Sequence, residues 1–256
     1  MIKNTSALMI AWEFLFSMNI MYTMITVPLL ICFPHLTGRT GKGAIALGYI
    51  NELMWMLQIV LKLFTADLIN GISDFSGAAR AYFRSGLLFF DLFATIPSSI
   101  LLFSHTKEQY RKFFMLLRFS HWNQFFFPFL FMADRYINVQ PVVKAKYMTV
   151  LQVFMFILIL GHFMACMWIL LGNTDTEDGS SWRPAMEMPD PKDEASFVWA
   201  TAFYFMFEVY STVGYGEMGF GTSYEYIYLM LCMFIGVAYM SVLLTVLAGL
   251  FDSYDY

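Results

Sequence analysis

Five consecutive residues near the carboxyl end of the chain have the composition of a cation-binding loop. They are Thr212, Val213, Gly214, Tyr215 and Gly216. In a TVGYG loop, successive backbone carbonyls replace the hydration shell of K⁺, and the ion must bind weakly enough to leave again. The two glycines reach backbone angles that are closed to other residues, and the Thr212 hydroxyl adds a further oxygen. The motif therefore predicts a potassium selectivity filter, with K⁺ bound at Thr212, Val213, Gly214 and Tyr215.

Two carboxylates flank this loop and are candidates for supporting it. Glu208 precedes Thr212 on the chain, and Glu217 directly follows Gly216. Two carboxyls that lie close together cannot both ionise cheaply, so one would keep a proton and hydrogen-bond to the other. Such a pair would brace the filter. The alternative is that Glu208 binds a backbone amide and never contacts Glu217.

The rest of the chain has the composition of a protein that crosses a membrane several times. Of its 256 residues, 59% are hydrophobic and 13% are charged, and the mean hydropathy is +0.60. A soluble domain of this size cannot bury so much apolar surface in one core. Six apolar segments approach the ~20 residues that cross a bilayer: Ala7–Ile31, Tyr49–Leu68, Ala81–Phe103, Arg111–Met132, Tyr147–Leu171 and Glu225–Phe251. They predict an all-α membrane protein with six transmembrane helices.

A seventh apolar segment, Ser196–Ser211, is short for a membrane span and ends at the TVGYG motif. The chain after it must return to the same side of the membrane. Irregular backbone survives at membrane depth only where it is buried in protein or lines a water-filled path. The segment therefore predicts a re-entrant pore helix over residues 196–211, followed by the filter at 212–216. Its aromatic residues would form a cuff around Tyr215 or pack against lipid.

The distribution of charge indicates an orientation and a class of function. Six spans place both termini on one side, and the excess of basic residues on that side favours cytoplasmic termini. The acid-rich stretch from Asp175 to Glu194 would either concentrate cations at a pore mouth or form a solvated loop. The sequence contains no nucleophile–base pattern, phosphate loop or metal cluster, which favours passive transport over catalysis. The net charge of −4 gives no indication of nucleic-acid binding.

Two other segments resemble a known family. The fifth apolar segment contains His162-Phe163-Met164-Ala165-Cys166-Met167-Trp168, which resembles the His-x-x-Ala-Cys-x-Trp pattern of the ether-à-go-go and cyclic-nucleotide-gated channel superfamily. Residues 82–97, with Asp91 and a closing Pro97, are similar to that superfamily's third segment. The resemblance implies a six-transmembrane potassium channel of the voltage-gated-like superfamily. It implies a four-helix sensor-like domain at 1–132, a linker at 133–146 and a two-helix pore domain at 147–256.

The fourth segment departs from this family's pattern, in which a basic residue recurs at every third position. The corresponding register here is Lys112, Met115, Arg118, His121 and Gln124. Arg111 lies beside it, and Pro128 would kink the helix. The acid usual in the second segment aligns with Gln58, whereas Asp91 in the third remains. Sensors use three to four charges per subunit, each worth about 2.3 kcal/mol per 100 mV. We therefore expect Asp91, Lys112 and Arg118 to form a residual sensor with weak or absent voltage sensing.

The resemblance also concerns the end of the chain. It implies a cytoplasmic linker and a cyclic-nucleotide-binding-like domain after the sixth span, but this sequence ends at Tyr256. Either the protein lacks that domain or the sequence is the membrane part of a longer protein. In the last span, Gly236 is a candidate gating hinge. Close helix packing is the alternative role of such a glycine.

The predicted function is passive, K⁺-selective conduction through a tetrameric pore. One chain provides one of four filter loops, so the expected partners are three further copies and membrane lipid, with no nucleic acid. K⁺ is the permeant species, and no organic cofactor is expected. The alternatives are the membrane part of a cyclic-nucleotide-gated K⁺ channel and a non-conducting, channel-derived structural subunit of a larger assembly. Either could require a cytoplasmic regulatory domain or partner. The expected location is the plasma membrane, with an organelle membrane as the alternative.

Overall fold

The computed structural model describes the residues 2–3, 7–36, 42–66, 75–102, 112, 114–122, 124–126, 141–173, 181–187, 191–219 and 221–251. Nearly all of them are helical, as the composition predicts. The chain divides into two units. The first unit comprises Met1–Val27 and Arg39–Tyr136, and the second comprises Pro28–Gly38 and Ile137–Tyr256.

Four of the described helices have the length and composition needed to cross a membrane. They contain the apolar stretches Leu8–Cys32, Ala46–Phe64, Ala145–Gly172 and Ser223–Gly249. These stretches correspond to the first, second, fifth and sixth predicted segments. The apolar windows in them exclude most charged side chains, which makes the chain an integral membrane protein.

The first unit contains helices α1 (Ala7–Cys32, through Val27) and α2 (Lys42–Phe64). Two short strands, β1 (Ile2–Lys3) and β2 (Thr65–Ala66), pair in parallel, so the all-α prediction misses one small element. Their register places Ile2 opposite Thr65. A two-residue pairing has no alternating apolar pattern, and the sequence therefore gives no sign of it.

The third predicted segment, Ala81–Phe103, is wrong as a single span. The structure divides it into α3 (Phe75–Arg84) and α4 (Leu87–Leu102). Gly86, between the two helices, has a φ of 74°, and its N–H donates to the Phe83 carbonyl at 3.2 Å. A left-handed glycine is a common helix stop because it lacks the Cβ atom that disfavours this conformation.

The fourth segment includes a 3₁₀ helix at Leu117–His121. Side chains three residues apart lie on one face of such a helix. Arg118 and His121 are accordingly buried, whereas Leu117 and Ser120 are exposed. Lys112 and Met115, in the same register, are buried as well. The predictions for Arg111 and Pro128 lie outside the described residues.

The second unit is built on α5 (Pro141–Gly172), α7 (Pro191–Tyr210) and α8 (Ser223–Phe251), with the short α6 (Trp182–Ala185) between the first two. Helix α5 begins well before the predicted Tyr147 and takes in part of the predicted linker. Helices α5, α7 and α8 pack on one another around a core in which Trp168 and Trp182 are fully buried. This core holds α7 and the loop that follows it.

Candidate functional site

Helix α7 ends in a hydrogen-bonding pattern that shapes the first filter residue. The Val213 N–H donates to the Glu208 carbonyl at 3.2 Å, and the Thr212 N–H donates to the Val209 carbonyl at 3.3 Å. Together these bonds form a Schellman motif with Thr212 as the residue after the cap. Thr212 has a φ of 64°, although glycine is usual there and a β-branched residue is strained. Such a conformation costs on the order of 1–3 kcal/mol, so the surrounding bonds must enforce it.

The filter loop repeats this backbone conformation at every second residue. Gly214 and Gly216 have φ values of 62° and 75°, in addition to the 64° of Thr212. Extended strands instead keep φ negative throughout. Alternating handedness along a loop orients successive peptide groups alike, which is how backbone ion-binding concavities form. The loop is therefore a non-regular segment whose peptide groups are arranged for ion contact.

Gly214 shows why this loop requires glycine. A Cβ atom added to Gly214 would meet no other heavy atom within 4 Å in one chain. The expectation that such an atom would crowd the filter backbone is therefore wrong within a single chain. The left-handed φ is the physical reason instead, because it costs an L-residue roughly 1–2 kcal/mol.

The structure brings Glu208 to the filter. Its side chain is 5% exposed, and Oε1 accepts a hydrogen bond of 3.0 Å from the Gly216 N–H. Among the described residues, Oε2 has no hydrogen-bond partner. Glu217 is exposed in a single chain. The amide contact is the alternative that the sequence left open, while the Glu208–Glu217 brace stays a prediction.

Tyr210, the last residue of α7, lies against two glycines of the neighbouring helices. A Cβ atom on Gly236 would lie 2.5 Å from the Tyr210 Cα, and one on Gly161 would lie 2.5 Å from the Tyr210 hydroxyl oxygen. Both positions therefore exclude any side chain. This gives Gly236 a close-packing role, and its use as a gating hinge stays a prediction.

An aromatic row runs along α7. The ring centroids of Trp199 and Phe203 lie 5.2 Å apart, those of Phe203 and Phe207 6.3 Å, and those of Phe207 and Tyr210 5.0 Å. The Trp199 indole donates to His162 Nδ1 at 3.0 Å. His162 is thus a hydrogen-bonded core histidine, as its apolar surroundings predict. A cuff around Tyr215, whose side chain is exposed in one chain, stays a prediction.

In the first unit, Arg118 forms a buried ion pair. Its Nη2 lies 2.6 Å from Glu52 Oε2, and its Nη1 donates to Asn51 Oδ1 at 3.2 Å. The guanidinium carbon is 4.9 Å from the centroid of the Trp55 ring, within cation–π range. Sequence reasoning missed Glu52 because it sought the second-segment acid at Gln58. Gln58 instead accepts from the Trp12 indole at 2.5 Å.

Asp91 is the centre of a second buried cluster in this unit. Lys62 Nζ lies 3.1 Å from Oδ2, and His121 Nε2 lies 2.7 Å from Oδ1. The Tyr82 hydroxyl donates to Oδ2, and Lys62 Nζ is also 3.2 Å from His121 Nε2. The partner in this cluster that the sequence did not suggest is Lys62, a cation from α2. Lys112, the remaining predicted sensor residue, is buried at 3% exposure.

A comparison with known families decides the identity of this arrangement. Residues 9–255 match the family model described as ion transport protein. The chain belongs to this family. The match covers both units and confirms the resemblance to the voltage-gated-like superfamily.

Curated relatives of this ion transport protein are potassium channels by name. It is 23% identical over 253 residues to "Voltage-gated inwardly rectifying potassium channel KCNH7" of Mus musculus, covering 88% of this chain and 20% of the relative. It is 24% identical over 257 residues to the channel KCNH2 of Sus scrofa, covering 88% of this chain and 21% of the relative. The chain thus spans about a fifth of the length of the curated relatives it matches.

One further acidic residue of this ion transport protein was not predicted from the sequence. Glu225 begins α8, and its N–H donates to Thr222 Oγ1 at 3.3 Å. The pattern Thr222-x-x-Glu225 is a capping-box signal and could have been found. Among the described residues, no group of three or more His, Cys, Asp or Glu could hold a metal ion. The three cysteines Cys32, Cys166 and Cys232 are buried and free.

Proposed function

We propose that this ion transport protein is the subunit of a K⁺-selective channel that conducts passively. The observation that supports this most is the backbone of Thr212, Val213, Gly214, Tyr215 and Gly216, in which positive φ recurs at every second residue. This loop directly follows α7 and is fastened by the bond between Glu208 and the Gly216 amide. Carbonyl oxygens in such a loop supply the weak, successive sites that K⁺ conduction needs.

Four copies of the chain would complete the pore. A ring of carbonyls needs four loops, and one chain supplies one of them. In a single chain, Tyr215 is 68% exposed and Phe234 on α8 is 76% exposed. A homotetramer around the filter would bury the filter-facing parts of these surfaces, and membrane lipid would cover the rest. The channel would lie in the plasma membrane with cytoplasmic termini.

Voltage sensing would be weak because the cations of the first unit are already neutralised. Arg118 is paired with Glu52, and Asp91 is contacted by Lys62 from α2. A cation on the fourth segment gains little by moving toward a carboxylate that another helix already compensates. With Lys112 and Arg118 as the basic residues of the described fourth segment, the charge available to move is below the three to four per subunit of steep sensors.

Flux measurements on the purified protein in liposomes test the proposal. We expect K⁺ efflux with strong discrimination against Na⁺, carried by fourfold-symmetric particles. Gly214→Ala should abolish selectivity or conduction because the new side chain opposes the left-handed backbone. Gly219→Ala is the matched control, since Gly219 is close in sequence, has no left-handed φ and leaves open space around an added Cβ.

Two outcomes would contradict the proposal. Unchanged K⁺-selective flux in Gly214→Ala would refute the filter assignment. A wild-type protein that runs as a monomer and carries no flux would favour the non-conducting structural subunit instead.

A further inference from the structure

Glu225 has an unusual environment for an acidic residue at the start of a membrane helix. Its side chain is fully buried, at 0% exposure. Oε1 accepts hydrogen bonds from Ser181 Oγ at 2.8 Å and from the Trp182 N–H at 2.9 Å. Oε2 accepts from the N–H groups of Gly221 at 3.1 Å and Thr222 at 3.2 Å. One carboxylate thus binds four donors from two separate segments.

The chemistry of these partners requires an ionised carboxylate. Every partner is a donor, so a proton or an amide NH₂ on either oxygen would face another hydrogen. Burying a charge is costly unless it is well hydrogen-bonded, and charge-assisted bonds are about twice as strong as neutral ones. Glu225 also lies in the first turn of α8, where the helix dipole favours an anion. Four bonds on one anion indicate a rigid junction.

The junction connects the loop that leaves the filter with the core that holds α7. Gly221 and Thr222 lie between the filter and α8. On the other side of the carboxylate, the Trp182 ring stacks on Trp168 with centroids 5.6 Å apart, and its Nε1 donates to the Trp168 carbonyl at 3.1 Å. The Trp168 ring in turn lies 5.4 Å from Phe205 of α7.

We propose that Glu225 is a positioning residue that fixes the outer end of the filter loop to the α5–α7 core. This inference rests on the proposed K⁺-channel function. Glu208 holds the loop at Gly216 from the α7 side, and Glu225 holds its exit at Gly221 and Thr222. With both ends fixed, the carbonyls between them keep the spacing that favours K⁺ over Na⁺.

The test compares three variants in the full chain reconstituted in liposomes. Glu225→Gln keeps the shape but turns an NH₂ group toward two donors. We expect its K⁺/Na⁺ flux ratio to fall about tenfold, the scale of one lost bond to a charged group. Thr222→Ala removes the helix cap at Glu225 N while keeping the carboxylate's bonds, so it should retain wild-type selectivity. Ser181→Ala removes one of the four donors and should lower the ratio in the same direction by a smaller factor.

A second measurement separates positioning from general stability. K⁺ that binds an ordered filter raises the melting temperature relative to Na⁺ buffer by mass action. We expect this K⁺-dependent rise to shrink in Glu225→Gln and to persist in Thr222→Ala. If Glu225→Gln does not assemble, Ser181→Ala decides, since reduced selectivity with intact tetramers supports the positioning role.

Three results would overturn the inference. These are wild-type selectivity in Glu225→Gln, wild-type selectivity in Ser181→Ala when Glu225→Gln does not assemble, and equal losses in Glu225→Gln and Thr222→Ala. A wild-type protein without K⁺-selective flux would refute the proposed channel function, and the positioning role with it. A selective wild type with unaffected variants would refute the positioning role alone.

Discussion

Both units of this protein bury carboxylates, but they neutralise them in different ways. In the first unit, Glu52 is paired with Arg118, and Asp91 with Lys62 and His121. In the second unit, Glu208 and Glu225 bind backbone amides and a serine hydroxyl. A cationic side chain can be exchanged for another, whereas a backbone amide cannot leave its place in the fold. The first arrangement suits a unit that can change partners, and the second suits a fixed loop.

The largest effect is expected from breaking the Arg118–Glu52 pair. Arg118→Ala leaves Glu52 buried without its cation, which typically costs about 3–5 kcal/mol. The free energy of unfolding, measured by denaturant titration in detergent micelles, should fall by that amount. The double variant Arg118→Met/Glu52→Met removes both charges and should recover most of it. A double variant as unstable as Arg118→Ala would show that packing at Trp55 matters more than charge.

A smaller effect, on charge movement, is expected at Lys62. In Lys62→Gln, Asp91 keeps His121 and Tyr82 but loses its α2 cation, so a moving cation gains more by approaching it. The charge displaced in a voltage step should rise by up to about one elementary charge per subunit. Lys146→Gln is the matched control, because Lys146 donates to the Gly249 carbonyl in the second unit. Equal displaced charge in wild type and Lys62→Gln would contradict the neutralised-sensor proposal.

The smallest effect is expected at Glu208. Glu208→Gln keeps an oxygen for the Gly216 amide, so it should change the free energy of unfolding by less than about 1 kcal/mol. The proposed Glu208–Glu217 brace predicts a coupling of about 0.5–3 kcal/mol between Glu208→Gln and Glu217→Gln in a double-mutant cycle. Zero coupling would leave the Gly216 amide as the partner that matters. A loss as large as in Glu225→Gln would contradict the contrast between these two carboxylates.

Long apolar helices were predictable from the sequence because their signal is local. Helix α1 ends at Cys32 where Ile31 was expected, and α8 begins at Ser223 where Glu225 was expected. The TVGYG motif likewise identifies itself by composition. The break at Gly86 was missed because apolar residues continue on both sides of it, and one glycine within such a run does not by itself indicate a helix end.

Partner choice was not predictable, because it depends on residues far apart in the chain. Glu52 meets Arg118 across 66 positions, and Ser181 meets Glu225 across 44. An alignment to a family pattern pointed to Gln58, yet the acid that binds the fourth segment lies elsewhere on α2. The strained φ of Thr212 was also hidden, since threonine is an uncommon residue after a helix cap and its conformation comes from bonds to Glu208 and Val209.

The shared role of Thr212 has a consequence for how this chain can vary in evolution. Thr212 both terminates α7 and begins the filter, so adding or deleting one residue just before it would rotate the loop by about 100° around the helix axis. Length changes there should be eliminated by selection. The opposite end of α7 has no such constraint, and its backbone is already non-helical at Glu194. Insertions among related sequences should therefore accumulate before Glu194, while the spacing from Ala195 to Gly216 stays constant.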